Sequence, residues 1–302
     1  MTAHSEAFLH NGVTRRVALL FVLLSFPLQS RAQMEVVLLG TGYPRPDTMR
    51  AGPSTAVVVN GKIFVVDVGR GVTQRFVGAG LSFRNITAVL LTHLHSDHTS
   101  GLPDLFNTSW IFGRYTPLQL YGPVGTQQLA DALIKFFEYD IHVRRDLTEN
   151  HPGEGATIAV HNVAEGIIYQ DEDVTITAFL VNHEPVEPAF GYRFETKGKT
   201  VVISGDTRPN PNLTRYAKGA DILVQEAYLP EHFDKSDSPE VAARLKHYHT
   251  SAEEAGQIAR DAGVKLLVLT HLIPSRADSV FLARAGKFFK GKIVVGNDLM
   301  RF

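Results

Sequence analysis

Apolar residues fall mostly in short runs of four to seven, separated by Gly, Pro and Asn, a spacing that predicts strands more often than long helices. The first group comprises Glu35–Leu39, Thr55–Val59 and Lys62–Val66, with Asn60-Gly61 placed as a hairpin turn. Ala88–Leu91 comes next as a buried strand and Leu118–Tyr121 as a short one, and a helix is expected over Val72–Gly78. Leu129, Leu133, Phe136 and Phe137 recur at helical spacing and predict a helix over Thr126–Tyr139 with an apolar core stripe. Residues 140–172 mix charge, Gly, Pro and the isolated histidines His142, His151 and His161, and read as a surface connection bordering the site. Further on, Val174–Val181, Thr200–Ile203, Ile222–Gln225, Lys265–Leu269 and Ile293–Val295 read as strands. Helices are expected near Pro239–Lys246, Ala252–Ala262 and Asp278–Phe289. Strands that alternate with helices in this way predict an α/β fold.

Composition narrows the picture little. With 302 residues and 44% hydrophobic content, the chain suffices for one large domain with a sizeable core. Thirty basic residues stand against thirty-one acidic ones, so no global charge favours a polyanionic partner. There are no cysteines, which excludes disulfides and thiolate metal sites. Arg15 and Arg16 precede the apolar run Val17–Leu28, and Ser30 and Ala32 have the spacing of a signal-peptidase site. Residues 1–32 therefore read as a secretory signal and residues 33–302 as the mature domain, periplasmic or secreted. A start at Met34 is the alternative, giving a cytoplasmic protein.

The chemistry concentrates in Thr92–Gly101, THLHSDHTSG, where His93, His95, Asp97 and His98 crowd together behind a buried strand. Imidazole and carboxylate are the nitrogen and oxygen donors that Zn²⁺ accepts, and isolated solvated residues rarely cluster so densely. In an extended segment alternate side chains share a face, so His93 and His95 reach one ion while Asp97 and His98 turn toward another. Asp67, at the end of Lys62–Val66, is placed to brace this loop from behind or to cap the next helix. Metal-competent residues recur where later strands end: His183, Asp206 within Ser204-Gly205-Asp206-Thr207, and His271. Loops at one edge of a sheet bring such residues together although they are distant in sequence.

The order HxHxDH, His183, Asp206, His271 resembles the metallo-β-lactamase superfamily, from Met34 onward. The resemblance implies a four-layer αβ/βα sandwich with metals at one edge. It also implies that His93, His95 and His183 hold one zinc and that Asp97, His98 and His271 hold the other, with Asp206 bridging. Manganese and iron are the alternatives to two zinc ions. LLGTGYPRP, PAFGYRFETKGKTVVISGDTRPN, VQEAY and KHYHTSAEEAG are similar to ribonuclease Z and its arylsulfatase-like bacterial relatives. By that likeness Glu226 and His249 form a pair that protonates the leaving group, and Asp97 orients the attacking water. Gln225 and Tyr228 depart from the family pattern around Glu226. As plain structural residues, Glu226 would form a surface ion pair and His249 would neighbour a helix cap.

The expected reaction is therefore phosphodiester hydrolysis of the ribonuclease Z type on a small phosphodiester, with an arylsulfatase acting on a sulfate ester, or a hydrolase of another ester, as an alternative. A lactonase or β-lactamase is the alternative, and a redox or non-catalytic metal-binding protein ranks last. Transfer RNA is disfavoured as a nucleic-acid substrate, because the family's inserted arm finds only Phe194–Val202 between Arg193 and Ile203. No membrane partner is expected after cleavage of the leader, and a homodimer is left open.

Overall fold

The computed structural model describes residues 1–2, 33–233 and 238–302, so the leader assigned to residues 1–32 lies almost wholly outside the described residues. Among the described residues no helix is long and apolar enough to cross a membrane. From Met34 onward, thirteen described strands form two sheets. The first holds, in spatial order, β1 (Met34–Gly40), β2 (Ser54–Val59), β3 (Lys62–Val66), β4 (Ile86–Leu90), β5 (Leu118–Gly122) and β6 (Ile158–Asn162). The second holds β7 (Gly166–Gln170), β8 (Thr175–Val181), β9 (Ala189–Glu195), β10 (Thr200–Ile203), β11 (Ile222–Tyr228), β12 (Leu266–Ile273) and β13 (Lys292–Val295), each beside its neighbour in sequence.

Strand periodicity builds the layers. Val36 and Leu38 of β1, Val57 of β2, Phe64 and Val66 of β3 and Leu90 of β4 point inward, where they meet Phe190, Tyr192, Phe194, Val201, Ile203 and Val224 of the second sheet. The intervening Val37, Leu39, Ala56, Val65 and Val89 face outward. There they pack beneath α1 (Val72–Gly78), α3 (Leu102–Ile111), which comes after the one-turn α2 (Ser96–Thr99), and α4 (Thr126–Phe136). On the far side Val202, Leu223, Leu267 and Leu269 pack beneath helices. Since α5 (Glu138–His142), α7 (Pro230–Phe233) and α8 (Pro239–His247) lie elsewhere, these are α6 (Pro211–Tyr216), α9 (Ala252–Ala262) and α10 (Asp278–Phe288). Strands buried on both faces must be apolar throughout, which is why they read as unbroken runs. Each buried Val, Leu, Ile or Phe contributes about 1.5–3 kcal/mol, and the three layers of contact hold the strand ends rigid. The result is the four-layer αβ/βα sandwich that the resemblance implied.

Three expectations change. The helix over Thr126–Tyr139 stops at Phe136 and restarts as α5, and Phe136 is 74% exposed while Leu133 carries the core contact. Residues 140–172 are not merely a connection: they include the edge strands β6 and β7. Edge strands bury little, and no residue of either is fully buried, so the alternation that reveals central strands is weak there. His142 bonds Asp146, His161 bonds Gln119 and stacks on Tyr121, and His151 packs against Trp110, so none of the three joins the metal-competent groups. Finally, β11 and β12 run further than their apolar cores suggest, so Glu226 and His271 lie inside strands rather than in the loops beyond them.

Candidate metal centre

β3, β4, β5 and β6 are parallel, as are β10, β11, β12 and β13, and β8 runs with β10 through the antiparallel β9. Asp67, the His93–His98 segment, His183 and Asp206 therefore emerge at the carboxyl ends of strands on one edge. His271 arrives differently. Glu226 pairs with Thr270 and Ala227 with Leu272, which leaves His271 as an extra residue on a β-bulge with φ 47°. A bulge re-aims a side chain without ending the strand, and here it turns His271 into the centre. Asp67 also has positive φ, 56°, so two site residues sit in the sparsely populated left-handed region. Gly205, with φ +62°, lets the Asp206 loop close: a Cβ there would lie 2.8 Å from the Phe190 carbonyl oxygen and 2.9 Å from Thr92 Cβ.

Two donor groups share this edge. His93, His95, His183 and Asp206 form one, Asp97, His98 and His271 the other, and within each group ligand atoms lie no more than 4.8 Å apart. In the first, His95 Nδ1 stands 3.0 Å from His93 Nε2 and 3.2 Å from His183 Nε2. In the second, His271 Nε2 lies 3.2 Å from Asp97 Oδ2 and 3.2 Å from Asp206 Oδ2, and His98 Nε2 lies 3.3 Å from the same Asp206 oxygen. Asp206 Oδ2 is also 4.0 Å from His93 Nε2, so it faces both groups. All these side chains are buried except the half-buried His95.

The surroundings decide which ring nitrogen is free. Asp67 accepts the Thr92 N–H, the Thr92 hydroxyl and His98 Nδ1–H, each at 2.8 Å. Because Thr92 gives its proton to Asp67, its oxygen accepts His93 Nδ1–H at 3.0 Å. The Tyr248 carbonyl accepts His183 Nδ1–H at 3.0 Å. His93 and His183 thus turn an unprotonated Nε2 inward, and His98, with its Nδ1–H donated to Asp67, turns Nε2 inward beside the Asp206 carboxylate. The 3.0–3.2 Å spacing of His93 Nε2 and His183 Nε2 from His95 Nδ1 is close to that of donors around one ion, since ligands 2.0–2.2 Å from a tetrahedral ion stand roughly 3.3 Å apart. Buried His98 Nε2 has no hydrogen-bond partner. The donor set therefore fits divalent metal in both groups. Of the two Asp67 roles, bracing is the one observed: the N-cap of α1 is Gly71, with no side-chain cap.

Electrostatics differ between the groups. Burial pulls His93 well below the ordinary imidazole range, lowers His95, and brings His183 down to about 4. Burial also works against a charged His98 and His271, but the carboxylates around them win: His98 is held well above its usual value, and His271 is raised to about 9, chiefly by Asp206 and then Asp97. Against the same burial, His98 and His271 keep Asp97 and Asp206 ionised.

Next to the second group, Glu226 accepts His249 Nδ1–H at 2.9 and 3.0 Å with both side chains buried, so neither is a surface residue. Glu226 Oε1 also accepts the Thr207 N–H at 2.8 Å, bracing the Asp206 loop. Burial pushes the Glu226 carboxyl up, opposed by His249. The residues just beyond His249 fix its position: Ser251 and Glu254 form a capping box at the start of α9, and Thr250 donates to the Thr207 carbonyl. A ring nitrogen of His249 comes within 4.8 Å of Asp206 and His271 donor atoms, close enough to serve that pair or a substrate oxygen between them. The roles of Thr92 and of the Tyr248 carbonyl carried no signal in the sequence, since backbone acceptors and a common Thr are invisible to motif spacing.

Such a fold with such a centre defines a metal-dependent hydrolase, and the comparisons agree. Residues 64–272 match the family described as the Beta-lactamase superfamily domain. A ribonuclease Z of Mycobacterium sp. (strain KMS) is 42% identical over 277 residues, covering 89% of this chain and 95% of that protein. Two solved structures share the fold, each covering 89% of this chain and 98% of the other. They are the metallo-beta-lactamase fold protein YhfI from Bacillus subtilis (TM-score 0.69, 20% identity) and human tRNase Z, short form (TM-score 0.67, 24% identity). The chain belongs to the metallo-β-lactamase superfamily, in its ribonuclease Z branch.

Proposed function

We infer that this chain hydrolyses nucleotide phosphodiesters with two zinc ions, one in each donor group. The observation that carries the reading is the buried Glu226–His249 pair set beside the seven-residue donor cluster. When bound, zinc would lower the pKa of a water enough to make it nucleophilic near neutral pH, and would neutralise charge on phosphoryl oxygens. Asp97 would orient the attacking water and accept its proton. With metal held by the two donor groups, the attacking oxygen would bond to phosphorus as the P–O ester bond opposite it breaks. Glu226 accepts His249 Nδ1–H, so that His249 in its doubly protonated form would present Nε2–H to the departing oxygen and give it that proton. The ribonuclease Z relatives support a nucleic-acid substrate. The short β9–β10 turn, Thr196–Lys199, and the formal charge of -1 favour a short single strand or small diester over docking of a whole folded RNA.

The test uses full-length, zinc-replete protein against bis(p-nitrophenyl) phosphate, a short single-stranded RNA, a lactone and an aryl sulfate. Turnover of both diesters is expected. Rapid lactone or sulfate turnover with neither diester cleaved would overturn the reading. Elemental analysis should find two zinc ions per chain; one ion would refute the dinuclear assignment. Export is part of the same proposal, supported by Arg15, Arg16 and the apolar run behind them. Amino-terminal sequencing of the exported protein should begin at Gln33, and a cytoplasmic chain beginning at Met1 or Met34 would refute it.

A further inference from the structure

Beside His249 the surface opens into a cleft of about 460 Å³ lined by Glu184, Pro185, Ala243, Arg244, His247 and Tyr248. That volume falls within the range of small-molecule sites, about 300–1,000 Å³. Tyr248 joins the cleft to the centre. Its ring stands edge-on to His183, 5.0 Å between centroids at 90°, and leans on His249 at 4.9 Å. Those contacts and its own carbonyl bond to His183 hold the ring in place, while the half-buried side chain keeps a surface toward the cleft. Charge around the rim is mostly committed: Arg208 bonds His247 at 2.8 Å and lies 3.7 Å from Glu184. Arg244 is exposed and makes no ion pair among the described residues.

Because His249 gives its proton to the departing oxygen, the group that leaves must lie on the His249 side, where this cleft begins. We propose that the cleft is the leaving-group subsite and that it takes a nucleoside, with the base against Tyr248 and the nucleoside's other phosphate paired with Arg244. A fixed aromatic ring accepts any base face, and a guanidinium lining the same cleft suits a strand rather than a simple aryl ester. The proposal rests on the phosphodiester reading, which supplies the position of the departing oxygen.

The experiment uses the zinc-loaded full-length chain, with adenosine, adenosine monophosphate and inorganic phosphate as probes. Each is titrated by calorimetry and tested as an inhibitor of bis(p-nitrophenyl) phosphate turnover. Tyr248→Leu should weaken adenosine and its monophosphate about tenfold while leaving inorganic phosphate and zinc content unchanged, and Tyr248→Phe should restore binding. Arg244→Ala, a surface change, should weaken the monophosphate by about threefold and leave adenosine untouched. Failure of adenosine to bind the wild-type chain, or binding unchanged by Tyr248→Leu, would overturn the subsite. A parallel fall of phosphate affinity and zinc content in Tyr248→Leu, with Arg244→Ala silent, would also overturn it by showing Tyr248 to be structural. A wild-type chain that cleaves no diester refutes the reaction, whereas diester cleavage without Tyr248-dependent nucleoside binding refutes only the subsite.

Discussion

Asp67→Asn is the sharpest probe of how the centre is held, because one carboxylate sets the proton positions of a ligand in each donor group. The asparagine keeps the shape and tolerates φ 56°. Its carbonyl still accepts the Thr92 N–H, but an NH₂ now replaces the oxygen that took protons from Thr92 and His98, both at 2.8 Å. His98 Nδ1–H then faces a donor and must move its proton to Nε2, the atom it turns toward the centre. Thr92 likewise reverses, offering its hydroxyl proton to His93 Nδ1 and inverting that ring too. Losing such a supporting bond costs about 10- to 100-fold in metal affinity, or roughly 1.4–2.7 kcal/mol. The lost charge-assisted bond should also destabilise metal-stripped protein by about 1.5–3 kcal/mol. Competition with a chromophoric chelator measures the first quantity and the urea midpoint of stripped protein the second. Asp67→Asn protein that binds both zinc ions within twofold of wild type, by the same titration, would refute the claim that Asp67 sets the tautomers.

Other contacts carry their own expected outcomes. His249→Ala and Glu226→Gln should each slow diester turnover by about 10²- to 10⁴-fold while leaving two zinc ions bound; loss of zinc alongside activity would make His249 a ligand instead. Gly205→Ala should cost about 1–3 kcal/mol in thermal or urea unfolding, since it meets both an unfavourable φ and the Phe190 carbonyl at 2.8 Å. At the opposite side of the sandwich Lys62 of β3 grips Asp171 at 2.6 Å and Asp173 at 2.8 Å. Burial raises the Asp171 carboxyl, but Lys62 and the Val174 and Asp173 amides more than offset it and bring it to about 2 from 3.8. A carboxyl depressed on folding stabilises fully above its unfolded value, so this contribution is present above about pH 4 and lost as pH falls through about 2. Asp171→Asn should therefore cost about 1–2 kcal/mol at pH 7, allowing for solvent screening at this half-open edge, read as a lower urea midpoint with unchanged slope.

Local pattern in the sequence determined most of the strands and four of the seven candidate donors, while the layering was implied by the family resemblance. Strands buried on both faces cannot avoid continuous apolar runs, and His93, His95, Asp97 and His98 are neighbours in the chain, so local pattern suffices for both. The recurrence of His183, Asp206 and His271 near strand ends was legible for the same reason. What the chain order did not carry were relations made only in three dimensions. The edge strands β6 and β7 bury too little to leave a pattern, and Phe136 faces solvent although its spacing matches a core stripe. His271 reaches the centre through a bulge whose existence depends on the partner strand's register. Above all, Asp67 lies 31 residues from His98, and whether it caps a helix or holds an imidazole is decided by parallel pairing of β3 with β4. Proton positions at the centre depend on that pairing, because a carboxylate that can only accept dictates which nitrogen of each ring is left free for metal.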